Sequence, residues 1–60
     1  MLETFDMYGI VDIRSDEQNA QIYYDKDESI WEMFLSNGSM GKFDNKQDAV
    51  TTGTNWVTRR

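Results

Sequence analysis

A chain of 60 residues has room for one domain, residues 1–60, and a domain of that size buries only about 60% of the surface its unfolded form exposes. It contains no Cys and no His, which excludes disulfides, thiolate metal sites, and the commonest zinc ligand and general base. Its net charge of −5 disfavours binding to nucleic-acid phosphates and favours a basic protein partner or plain solubility.

The hydropathy pattern predicts an α+β domain: a four-stranded antiparallel sheet followed by one C-terminal helix. The first strand spans about Met7–Arg14, where Met7, Gly9, Val11 and Ile13 alternate with more polar positions. Residues 15–19 are polar turn formers, and a second strand follows over Ala20–Asp25. Lys26-Asp27-Glu28-Ser29 makes the next turn. The third strand, Ile30–Ser36, places Trp31, Met33 and Leu35 on one face and Ile30, Glu32 and Phe34 on the other. Asn37-Gly38 is a strong hairpin signal of type I′, and a short fourth strand runs over Ser39–Phe43. Although Asn37-Gly38-Ser39 matches a glycosylation sequon, it reads as a turn.

A helix starts near Asn45. Asp44 or Asn45 caps it, and Gln47 or Asp48 completes a capping box. Ala49, Val50, Gly53 and Val57 share one helical face, and Arg59 and Arg60 complement the negative end of the dipole. Thr51, Thr52, Gly53, Thr54 and Asn55 are poor helix formers, so packing must hold this segment.

One helix covers one face of a sheet. The covered face is built from Val11, Ile13, Ala20, Ile22, Tyr24, Trp31, Met33, Leu35 and Phe43, with Trp31 packed on Ala49 and Gly53 as one of the most buried residues. The other face still carries Tyr8, Ile10, Tyr23, Ile30 and Phe34, rimmed by Asp6, Asp12, Asp25 and Glu32. A solvated sheet face reads polar, and this one does not. Either the segment Met1–Phe5 folds back over it, or a second chain covers it.

The residues give little purchase to catalysis. Ser15, Ser29, Ser36 and Ser39 have no His to activate them, and no phosphate-cradling glycine loop occurs. Asp25, Asp27 and Glu28 lie in a solvated turn, which does not split carboxyl pKa values for acid–base work. Asp25, Asp27 and Ser29 alternate as calcium ligands do, yet Ile30 and Ser36 stand where an EF-hand needs Gly and Glu. Tyr8, Tyr23 and Phe34 suggest a base-stacking platform for single strands, but the expected strands supply few cations.

Gly41-Lys42-Phe43-Asp44-Asn45-Lys46-Gln47-Asp48-Ala49 resembles the strand-to-helix junction of the plant AP2 DNA-binding domain and of the arm-binding domains of tyrosine integrases. Tyr8–Arg14 is similar to their first strand. The resemblance implies a sheet-plus-helix fold. Those families read DNA with basic residues on the sheet, whereas here Asp12, Asp25 and Glu32 occupy comparable places, so DNA binding does not carry over. In size and composition the chain also resembles small bacteriophage accessory proteins.

The sequence therefore predicts a non-enzymatic protein-interaction module without a cofactor or metal, a small regulator or inhibitor of a larger protein. Its contact residues are Tyr8, Ile10, Tyr23, Ile30, Phe34, Asp12, Asp25 and Glu32. The partner is a protein, with a basic one favoured by charge and a homodimer through the uncovered face as an alternative. An acidic mimic of nucleic acid and a single-strand-binding sheet are the competing readings. No apolar run is long enough to span a membrane, and no leader is visible, so the expected location is the cytoplasm, of a host cell if the chain is of phage origin.

Overall fold

A computed structural model describes residues 1–59. It is α+β, as expected, with an antiparallel sheet followed by a C-terminal helix, but the sheet has five strands. They are β1 (Glu3–Met7), β2 (Ile10–Arg14), β3 (Asn19–Asp25), β4 (Ile30–Leu35) and β5 (Met40–Phe43), and α1 is Lys46–Val57. The strands form a simple meander in chain order.

The extra strand comes from dividing the expected first one. Tyr8 and Gly9 both have positive φ, 56° and 78°, and form a two-residue turn between paired Met7 and Ile10. Two positive φ values in a two-residue loop define the type I′ hairpin, whose twist matches that of its strands. Tyr is not a usual residue there, so the alternation of Met7, Gly9, Val11 and Ile13 reads as one continuous strand. Met1–Phe5 accordingly does not fold back over the open face. Residues 3–7 extend the sheet sideways, with Glu3 opposite Arg14 and Phe5 opposite Asp12.

The turn expected as type I′ has a different geometry. At Ser36-Asn37-Gly38 only Gly38 has positive φ, 93°. Gly38 N–H donates to the Leu35 carbonyl (3.0 Å), and Leu35 N–H donates to Ser39 (2.8 Å). This is a three-residue loop, a type I turn closed by a left-handed glycine.

The helix is held at both ends. Asn45 is the N-cap: its Oδ1 accepts from Asp48 N–H at 2.8 Å, while its Nδ2 donates to the Asp48 carboxylate at 3.2 Å. At the other end the turn between β2 and β3 supplies donors to orphan carbonyls. Ser15 Oγ donates to Val57 and Gln18 Nε2 to Trp56, both at 2.8 Å. Arg59 lies beyond the helix, whose last turn has no basic residue, and Arg60 lies outside the described residues.

The core lies between the helix and the middle of the sheet: Val11, Ile13, Ala20, Ile22, Met33, Ala49 and Val57. Gly53 sits where a Cβ would approach Ala20, Ile13 and Ile22 to 3.3–3.4 Å, so the missing side chain sets how closely the helix lies. Trp31 is only half-buried and packs at the border of the core, while the atoms nearest Gly53 belong to Ala20, Ile13 and Ile22. It lies towards the helix N-terminus, against Tyr24 (centroids 5.1 Å apart) and under Lys46 (5.9 Å). Tyr24 is also more exposed than a core residue.

Candidate functional site: the open face of the sheet

The helix packs across β2, β3, β4 and β5 and leaves the opposite face bare. Strand register places the side chains of that face in rows. One row runs Phe5, Asp12, Gln21, Phe34 and Met40, and the next Met7, Ile10, Tyr23, Glu32 and Lys42. Asp25 and Ile30 pair at its upper end, and Glu3 and Arg14 at its lower end.

The apolar members are wet. Exposure runs from 38% at Tyr23 through 46% at Phe5 to 62% at Met7, while Phe34 and Ile30 are half-buried. They are nevertheless ordered against each other. The Tyr23 and Phe34 rings stack diagonally across β3 and β4, with centroids 5.1 Å apart and planes 12° from parallel. Ile10 is the direct cross-strand neighbour of Tyr23. Arg14 lies 5.6 Å above the Phe5 ring.

Six of the eight sequence-predicted contact residues therefore share this surface: Ile10, Tyr23, Phe34, Asp12 and Glu32 in its body and Ile30 at its upper end, with Phe34, Asp12, Glu32 and Ile30 half-buried. Asp25 joins them at the upper edge. Tyr8 does not lie on the face but projects from the β1–β2 hairpin tip, 94% exposed. Asp6 is not part of the rim; it points to the covered side and binds Lys46 of α1 at 2.6 Å. Phe5, Met7 and Met40 are the members that sequence reasoning missed. Phe5 and Met7 alternate with Thr4 and Asp6, a short period-two signal hidden by placing the first strand too late.

Charge on the face is mostly acidic and partly neutralised. Arg14 donates from Nε (3.0 Å) and Nη2 (2.7 Å) to the same oxygen of Asp12, Oδ2. The other oxygen, Asp12 Oδ1, is shut off from solvent and accepts no hydrogen bond. At the upper end the carboxylates of Asp25, Glu28 and Glu32 come within 4.8 Å of one another. Partial desolvation, then the nearby Asp25 carboxylate, raise the Glu32 pKa above its ordinary value. Desolvation opposes ionisation of Asp25 too, but the amides of Glu28 and Asp27 donate to its Oδ1 and hold its pKa below the usual range. These three carboxylates are the residues that could offer oxygen ligands to a cation, and Lys42 Nζ already stands 3.5 Å from Glu28.

Clefts elsewhere are shallow. One of about 400 Å³ lies between Met1, Leu2, the β2–β3 turn and the helix end, where the N-terminal ammonium binds Asp16 at 2.8 Å. No described helix is long and apolar enough to cross a membrane. No protein-family model, no curated protein and no solved structure matches this chain.

Proposed function

We propose that this chain is a non-enzymatic binding module, a small regulator or inhibitor that docks a larger protein on the open face of its sheet. The observation that carries the reading is the ordered but wet apolar surface around the stacked Tyr23–Phe34 pair. Large aromatic side chains with a charged rim are the usual anatomy of a protein-binding surface, and pre-stacked rings have little conformational entropy left to lose. The two cations of the face, Arg14 and Lys42, are each beside an acid, so little positive charge remains for a nucleic-acid strand.

The test is capture from a cell lysate by the wild-type chain and by Ile10→Ser and Phe34→Ser variants, over a salt series from about 0.1 to 1 M. The expected result is a discrete captured protein that resists salt and is lost from both variants. Capture unchanged by the substitutions would remove the open face from the reading. Capture that dissolves steeply with salt and ignores Phe34 would point instead to an acidic mimic of nucleic acid.

A further inference from the structure

Beyond the open face, the sheet has an edge with a self-complementary pattern, and we propose that two copies of this chain pair antiparallel along β1, centred on Phe5, to form a continuous ten-stranded sheet. The two-residue Tyr8-Gly9 loop closes on Met7 and Ile10, which makes them a hydrogen-bonded pair. Alternation then commits the backbone groups of Phe5 and Glu3 to β2 as well. The N–H and C=O groups of Thr4 and Asp6 point outward, along the free edge.

A two-fold axis beside Phe5 sets Phe5 against its own copy in a non-hydrogen-bonded pair, where side chains approach most closely. Thr4 then faces Asp6 of the partner subunit, and all four outward-pointing groups of each copy find partners. In the same register Glu3 faces Met7 of the partner subunit, so no acid directly opposes an acid. Asp6 is already neutralised by Lys46. Face-to-face pairing through the open surface would instead oppose two acid-rich surfaces.

The edge carries two acids, Glu3 and Asp6, but lacks other usual guards. All five residues of β1 are exposed, and the strand has no Pro, no Lys and no bulge in its register. The body of the helix does not pack on it, and Lys46 reaches it through the ion pair with Asp6. The N-terminus is drawn away by the ion pair between Met1 and Asp16. At the other edge β5 has only four strand residues, one of them Lys42.

A five-residue strand pair buries little area, so the dimer is weak, and the experiment spans roughly 10 µM to 1 mM. Sedimentation equilibrium of the full chain is expected to show a monomer–dimer equilibrium, with Thr4 and Asp6 amides slowing in hydrogen exchange as concentration rises. Thr4→Pro removes an outward N–H at an edge position that tolerates proline. It is expected to weaken association at least tenfold while retaining capture of a lysate partner. If that variant fails to fold, the wild-type amide exchange decides. A strictly monomeric chain at the upper concentration overturns the proposal. So does a dimer whose Thr4 and Asp6 amides exchange freely, or one abolished by Phe34→Ser but kept in Thr4→Pro, since that is face-to-face pairing.

Discussion

Tyr8 combines two properties that seldom coincide: a φ of 56° and a side chain 94% exposed. A non-glycine residue there is strained, and an exposed ring offers no packing in return. Tyr8→Asn is therefore expected to stabilise the isolated chain by about 1 kcal/mol, read from the urea midpoint. If the ring is a contact residue, the same variant weakens capture, which separates stability from binding. Glu32 gives a second expectation. Its raised pKa means that the folded state holds the proton more tightly than the unfolded one. Its contribution is full below the unfolded value of about 4.3 and is lost as pH rises through the raised folded value. Glu32→Gln should thus raise Tm at pH 7, with a gain that shrinks as the pH is lowered towards that unfolded value. An equal gain at both ends of the range would show that the carboxylate is not under strain. Asp25 has the opposite sign: its lowered pKa gives stability at neutral pH that is lost as pH falls through the folded value.

Among the elements, α1 depends most on its surroundings. Its middle, Thr51 to Asn55, is intrinsically weak, and its ends are held by Asn45, Ser15 and Gln18. Gly53 is the position where propensity and packing conflict. Glycine costs about 1 kcal/mol in a helix interior, yet any side chain presses on Ile13, Ala20 and Ile22, all fully buried. Packing wins for a branched residue. Gly53→Val is expected to lower stability by about 1–3 kcal/mol in chemical denaturation, because the helix must lift from β2 and β3. A Gly53→Val chain at least as stable as the wild type would show that the helix has room to move. For β1 the local signal is weaker. Its placement rests on the Tyr8-Gly9 turn and the Asp6–Lys46 ion pair, and the body of the helix does not lie behind it to fix its register by burial.

At the scale of the whole molecule, one helix on five strands leaves a surface that the chain alone does not bury. A domain of this size has little stability to spare. Its ordered Tyr23–Phe34 stack and its open β1 edge are both on the side away from the helix or at its margin. That segregation links the fold to the proposed function: the helix side supplies the core, and the remaining surface is free to bind.

Much of this was legible in the residues. The β3–β4–β5 order and the buried sheet residues Val11, Ile13, Ala20, Ile22 and Met33 follow from the period-two pattern, and capping chemistry narrowed the helix start to Asp44 or Asn45, of which Asn45 is the cap. Ile10, Tyr23 and Phe34 fall on one surface because alternation is a local property of a strand. What only the tertiary structure decided depends on non-local pairing. The N-terminal segment supplies an edge strand because Glu3–Met7 found partners in Ile10–Arg14, which forced Tyr8 into a backbone region its type does not signal. Trp31 fell outside the centre because the seat of the helix is set by the cheapest close approach, at Gly53 over Ile13, Ala20 and Ile22, and not by the largest side chain.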